Sequence, residues 1–351
     1  MPFDEQNSKS LFVLNSTRRN HMKQAAQRTV SFKALQRARP TIEDFAKSYF
    51  PYLGLRLPDD FLTYLDVLVW VEATIYQLDE DNESLTECGR LDQALVAEGI
   101  QGITEVLRQQ GLLDEQLQRE LKQGLRYWSL EQDICRRLLA APRALQAPAA
   151  LTAEEVLECH AAKSFDYRVL CLLLFRLARL PHDEALLSFL RLDEMLVDIS
   201  DDLVDYEDDV LANSFNIFRC YIQLYGKEAE LKLVERISSL EGQHGRLLAG
   251  LSEGAREHYW RRHREASEGQ GSDRWVFPPP IYDEAAYRVR VRSEEAAAAA
   301  ATGAAGEAAA AVTAAALGAT EAVGASTTEA EAPATAEGST GGASGPVAAE
   351  S

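Results

Sequence analysis

Between Asp193 and Asp209 the chain carries nine acids in seventeen residues, and no Lys or Arg lies between Arg191 and Arg219. An apolar stripe runs through the same stretch at Leu192, Leu196, Ile199, Leu203, Tyr206 and Val210. That is the three- and four-residue spacing of one helix face. The pattern predicts a packed helix with a row of like charges beside its buried side. Like charges four residues apart cost an exposed helix roughly 0.2–0.5 kcal/mol per pair, and more where the dielectric is lower. A packed helix of this kind implies a cation. A four-residue step turns a side chain by about 40°, so Asp201, Asp205 and Asp209 form a ladder. Asp198, Asp202, Asp205 and Asp209 form an overlapping stripe next to the apolar face. Either set suits Mg2+, which takes carboxylate, water and phosphate oxygens. The competing reading is a solvated acidic face.

A second acidic cluster, Leu78-Asp-Glu-Asp-Asn-Glu83, ends a long apolar helix, with Asp79 and Glu83 four apart and Glu80 beside them. Acids at a helix end are common, so the value of this cluster lies in the pairing. Carboxylates on two facing helices are what a Mg2+–diphosphate cage with three ions requires. The metals neutralise the leaving group, and an apolar cavity below holds a hydrocarbon. Basic residues must grip such a diphosphate. Lys163 and Arg168, in Lys163-Ser-Phe-Asp-Tyr-Arg168, precede the acidic helix, and Arg261 and Arg262 lie in Arg256-Glu-His-Tyr-Trp-Arg-Arg-His-Arg264. Both groups also read as ordinary polar helix ends. Trp70, Tyr76 and Phe165 are candidates to line the cavity and stabilise a carbocation through their rings, or else are simply core. His182-Asp183, directly after Pro181, reads as a helix start rather than a metal motif.

Asp201-Asp-Leu-Val-Asp-Tyr-Glu-Asp-Asp209 resembles the second metal motif of class I terpene synthases, with Asp205 standing where that family has a hydroxyl. Read in another register, Ile199-Ser-Asp-Asp-Leu-Val-Asp205 resembles the second Asp-rich motif of trans-prenyltransferases. The choice between Asp201 and Asp202 as first ligand stays open. Asp79, Glu80 and Glu83 resemble a relaxed first Asp-rich motif, and the segment at Lys163 resembles the diphosphate-binding elements of both families. The likeness covers about residues 50–265. It implies an all-α fold, a single helical bundle of the class I isoprenoid synthase type. It further implies a Mg2+-dependent carbon–oxygen lyase that ionises an allylic isoprenoid diphosphate, with Asp79, Glu80, Glu83, Asp201, Asp202, Asp205 and Asp209 around about three Mg2+ ions. The Gly-Gly-Lys segment and Arg-Arg pair of prenyltransferases do not occur at their expected places. Terpene synthase is therefore favoured over chain elongation. A non-catalytic relative that binds an isoprenoid diphosphate or a protein partner is the other reading.

The elements that must position these residues are helices, since apolar spacing is helical from about residue 41 to 292. A central helix follows Asp59–Asp60 through Phe61, Leu65, Leu68, Val71 and Ile75, and further helices are expected over 90–110 and 112–140. Thr152 and Glu155 form a capping-box signal for a helix running to about Leu180. The next is expected from Pro181 to about Leu211, and another from Lys227 to Arg264.

The net charge of −19 is uneven: residues 1–40 carry +6 and residues 293–351 carry −8, leaving −17 for 41–292. Such a domain repels nucleic acid and anionic surfaces unless metal intervenes. Five scattered cysteines with no CxxC indicate a reducing compartment and no structural zinc. No apolar run is long enough to span a membrane. The basic, Ser/Thr-containing residues 1–40 read as an organelle transit peptide or an unstructured cytosolic leader, so the expected location is cytoplasmic or plastid. Residues 293–351, rich in Ala, Gly and Glu, lack the apolar surface to offset ordering entropy and read as a disordered tail.

Overall fold

The computed structural model describes residues 30–87, 93–141, 143–145, 150–267 and 275–298. The proposed leader up to residue 29 and the tail from residue 299 lie outside them. The described residues are all-helical, with no strand among them. This is compatible with the isoprenoid synthase type of bundle.

The chain divides into two units, Met1–Val289 and Arg290–Ser351. In the first, α1 spans Phe32–Tyr49, α2 Asp59–Glu87, α3 Gln93–Gln109, α4 Glu115–Ala140, α5 Ala153–Ala162 and α6 Phe165–Leu177. Then follow α7 at Glu184–Val204, α8 at Tyr206–Ala212, α9 at Ile217–Tyr225, α10 at Ala229–Gly250 and α11 at Glu253–Ser267. Residues 284–289 are again helical. In the second unit, residues 290–298 are helical, and Arg290 pairs with Glu294 one turn on.

Local chemistry explains several helix starts. Ser31 accepts from Ala34 N at 3.1 Å, so α1 begins before the expected boundary at residue 41. Asp114 caps α4 and Asp183 caps α7, each accepting first-turn N–H groups. The Thr152–Glu155 capping box forms as expected. Helix α2 packs against α1, α3, α4 and α6, while α7 packs against α5, α6, α9 and α10. The apolar face of α2 supplies Leu68, Val71, Ile75 and Leu78 to the main core. No helix among the described residues is long and apolar enough to cross a membrane. Cys135, Cys159, Cys171 and Cys220 are buried free thiols.

Three helices expected to be continuous are divided. The 152–180 helix breaks at Lys163–Ser164, where Ser164 takes a left-handed φ of 52°. The 181–211 helix bends at Asp205 (φ −89°, ψ 6°), although Asp205 N and Asp209 N still reach the carbonyls of Asp201 and Asp205 at 2.8 Å. The 227–264 helix ends at Gly250, because Leu251 is extended with ψ 163°. Periodicity carries through such breaks, because a one- or two-residue interruption leaves the apolar face on the same side. The acidic ladder is therefore distributed over two helices, with Asp205 at their junction.

Close packing around the first break depends on Gly124 of α4. A Cβ there would lie 2.3 Å from Phe165 Cε2, so Gly124→Ala must push the ring away. The expected loss is about 1–3 kcal/mol, measurable by urea denaturation.

Candidate functional site

The break between α5 and α6 aims two consecutive side chains at α7. Lys163 Nζ lies 2.5 Å from Asp202 Oδ1, and Ser164 Oγ donates to Asp198 Oδ1 at 2.6 Å. Asp198 and Asp202 are one helical turn apart, and both are buried. The other oxygen of Asp202 accepts from Ile217 N at 2.6 Å, in the first turn of α9. Asn216 caps that helix and donates its Nδ2 to Asp202 O at 2.5 Å and to Asp209 Oδ2 at 2.8 Å. One lysine, one serine and one asparagine thus tie α5, α7, α8 and α9 together.

Helix α2 supplies the opposite acids from within its body rather than from its end, since it continues to Glu87. Asp79 Oδ1 accepts from Trp128 Nε1 at 3.0 Å. Buried Asn82 donates to Glu131 Oε2 at 2.7 Å and accepts from Gln132 at 2.6 Å, and Tyr127 OH donates to Glu131 Oε1 at 3.1 Å. Lys163 is a charged neighbour of Asp79, Glu131, Asp198, Asp202 and Asp209 alike. Asp79 of α2, Glu131 of α4 and the buried acids of α7–α8 therefore share one ammonium.

Burial is the main influence on these acids, and their mutual repulsion adds to it. Burial raises Asp79, and it pushes Glu131 up to about 8, with Asp79 adding to the effect. Burial also raises Asp198 to about 7 and Asp209 to about 6, against the lowering influence of Lys163 on both. Glu83, partly desolvated and repelled by Asp79, Glu80 and Asp209, is pushed to about 7. Burial works against the Lys163 ammonium, but Asp202 and Asp198 outweigh it and hold it charged. Deeper along the same face of α2, Glu72 is fully buried with neither oxygen in a hydrogen bond. Burial, followed by Asp166, raises it well above the carboxylate range.

Several residues singled out in the sequence are committed elsewhere. Arg168 is buried, bonded to Glu120 Oε1 at 2.5 Å and to the carbonyls of Ala162 and Lys163, with Glu194 at 3.5 Å. It braces the break between α5 and α6 and is not open to a substrate. Glu80 turns to α1, where Lys33 lies at 3.1 Å and Arg37 at 3.7 Å. Arg262 binds Asp44 and Ser48 of α1, and Arg261 bonds His258 Nδ1 at 2.9 Å. Asp44 and Ser48 lie two to three turns along α1 from Arg37, so that pair of arginines does not join the Lys163 centre. Arg261 instead lies on an open face of α11 with Glu253, Arg256, Glu257, Trp260 and Arg264.

The candidate aromatic residues are packed. Phe165 is buried edge-on to Trp128 at 5.1 Å. Tyr76 bonds Thr41 at 2.9 Å and receives the Arg37 guanidinium over its ring at 4.3 Å. Trp70 is partly buried against the core. Asp201 and Asp205 are exposed on the outer side of the α7–α8 junction. Glu207, on the other side of the wheel, accepts from Tyr287 OH at 2.7 Å, so it joins α8 to the 284–289 segment.

Sequence reading missed Ser164, Trp128, Glu131 and Asn216. Only Asn216 carried a usable signal, as an Asn before an apolar run is an N-cap signature. The others are ordinary residues until neighbouring helices bring them together.

As the side chains stand, no three His, Cys, Asp or Glu groups among the described residues converge closely enough to hold a metal ion. The donor chemistry nevertheless fits a hard cation. Asp79 and Asp209 each engage only one oxygen in a hydrogen bond, and Asp198 Oδ2 is buried without a partner. No family model, no curated protein and no solved structure matches the chain.

Proposed function

We propose that this chain is a terpene synthase-like, Mg2+-dependent carbon–oxygen lyase, which ionises an allylic isoprenoid diphosphate with loss of diphosphate. What supports this reading is the gathering of Asp198, Asp202 and Asp209 about Lys163, Ser164 and Asn216, with Asp79 of α2 as a further charged neighbour of Lys163. Acids whose pKa values are raised by burial, and further by one another, form a set that a divalent cation relieves. Asp79 and Glu83 on one side, with Asp198, Asp202 and Asp209 on the other, would hold the metal, whereas Asp201 and Asp205 face outward. In the ligand-free protein Asp202 is bonded to Lys163 and Ile217 N, so its Oδ1 is open to a metal only when Lys163 leaves. Bound Mg2+ supplies the charge that draws off the leaving diphosphate. Lys163 offers that group an ammonium donor. Asn216 holds Asp209 and the start of α9 in place, and Trp128 orients Asp79.

A second reading, a non-catalytic member of the fold that binds an isoprenoid diphosphate or a protein partner, is favoured by how much of the polar set is already paired. Asp202, Glu80 and Arg168 all have protein partners.

One experiment separates the two readings. Incubation with allylic diphosphates and Mg2+ should release pyrophosphate, and Asp209→Asn should abolish the release. The same substitution should remove most of the thermal stabilisation given by Mg2+ and pyrophosphate. It should leave the stability of the ligand-free protein unchanged or raised, since it removes a crowded carboxyl. Stabilisation without release favours the binder, and release only when isopentenyl diphosphate is added points to a trans-prenyltransferase. Neither release nor stabilisation ends both diphosphate readings.

A further inference from the structure

Lys163 already performs the task that a metal ion would be asked to do. Its ammonium lies 2.5 Å from Asp202 Oδ1, and it is a charged neighbour of Asp198 and Asp209. Asp198 and Asp202 are 7% and 2% exposed, so water does little to screen them. Asp198 Oδ2 has no hydrogen-bond partner, which leaves an unfilled acceptor one helical turn from Asp202. The arrangement is built into the backbone. Ser164 adopts a left-handed φ of 52°, which a side-chain-bearing residue occupies at some energetic cost. The bond from its Oγ to Asp198 at 2.6 Å offsets that cost. The Lys163 N–H remains fixed to Cys159 O at 3.0 Å. The main chain is thus pinned while the four-carbon stem, with 23% of the side chain exposed, retains a path toward solvent.

We propose that Lys163 is a tethered cation that occupies the Asp198–Asp202 site and excludes free divalent metal, until an incoming diphosphate draws the ammonium away. The identity of the incoming ligand rests on the function proposed above; the occupancy of the site by Lys163 does not. The physical reason for the order is competition for one pair of carboxylates. A divalent ion alone must displace an ammonium that is covalently attached and so present at high effective concentration. A diphosphate arriving with Mg2+ offers the ammonium a new anion, so that neither charge is left unpaired in a buried site. Metal and diphosphate therefore bind together, and metal alone does not bind.

Thermal melts of the full chain with Mg2+ alone, and with Mg2+ plus pyrophosphate, test this in the wild type and in Lys163→Met and Lys163→Gln. The glutamine keeps a donor for Asp202 and guards against misfolding of the methionine variant; circular dichroism confirms that each variant is folded. Wild type should not respond to Mg2+ alone. The variants should gain about 3–5 °C at a Mg2+ concentration about ten times its Kd. A wild type that responds to Mg2+ alone as strongly as the variants overturns the proposal, and so does a folded variant that ignores Mg2+. If the variants respond to Mg2+ while wild type ignores Mg2+ with pyrophosphate, the tethered cation stands and the diphosphate reading falls. A measurement needing no variant is Mn2+ electron paramagnetic resonance of wild type. Mn2+ should stay free until pyrophosphate is added, and Mn2+ bound without pyrophosphate but displaced by Mg2+ overturns the proposal.

Discussion

Replacing Glu284 with alanine is expected to cost about 3–5 kcal/mol, because it strands buried arginine charge. Glu284 is 1% exposed and accepts from Arg219 Nε at 2.9 Å, from Arg219 Nη2 at 2.7 Å and from Arg288 Nη2 at 2.8 Å. The Arg219 side chain is fully buried and that of Arg288 nearly so. Burial disfavours the Arg219 charge, and the facing Glu284 carboxylate more than restores it. The effect should reach the acidic centre through a short route. Arg219 also holds Ser214 O at 2.8 Å and Asn213 Oδ1 at 2.7 Å, fixing the loop that presents Asn216 to Asp202 and Asp209. Urea denaturation should therefore show a large drop in midpoint, and the response to Mg2+ with pyrophosphate should weaken in parallel. A loss below about 1 kcal/mol, the range of an exposed ion pair, would mean that the loop is held by its other contacts.

Ligand-free stability is expected to fall by about 2 kcal/mol or more between pH 6 and pH 8, at about 1.4 kcal/mol per pH unit for each proton that the folded state must give up. Glu131 is the main source. Burial, then Asp79, raises it from the ordinary glutamate value of 4.5 to about 8. A raised acid binds its proton more tightly in the folded than in the unfolded chain. Its contribution is full below about 4.5 and is lost as the pH climbs through 8. Asp198, raised mainly by burial to about 7, acts in the same direction. On the acid side His160 opposes them. Burial and the nearby Lys163 lower it to about 3, so its contribution is lost as the pH falls below the ordinary histidine value of 6.5. Two raised acids outweigh one lowered histidine between about pH 4.5 and 6.5, so the optimum should lie near pH 4 to 4.5. Glu131→Gln should flatten the alkaline limb, since its amide can still accept from Asn82 and donate to a turned Tyr127 hydroxyl. An alkaline limb unchanged in that variant would place the titrating group elsewhere.

The all-helical architecture was legible because apolar residues at three- and four-residue spacing leave little alternative over long stretches. The Thr152–Glu155 box and the Asp183 start were legible because capping is satisfied within a few residues. The acidic stretch was legible as unusual, and its neighbourhood contains the Lys163 ammonium that its charge called for. The roles within it were less legible. Asp202, on the stripe beside the core, is an anchor for Lys163 and for the start of α9, whereas Asp201 and Asp205 face outward.

Local sequence thus determined which segments are helices, which faces of them are apolar and where negative charge accumulates, because each depends on spacing along one chain. Which charges meet was decided only by the tertiary structure. Arg168 and Lys163 lie five residues apart and look alike as candidates, yet one is locked between Glu120 and Glu194 and the other stands at the acidic centre. The left-handed turn at Ser164 separates them, and the partners that decide their roles come from α4 and α7, 26 to 48 residues away in sequence. A buried charge takes its function from the counter-charge and dielectric around it, and packing between distant helices supplies both.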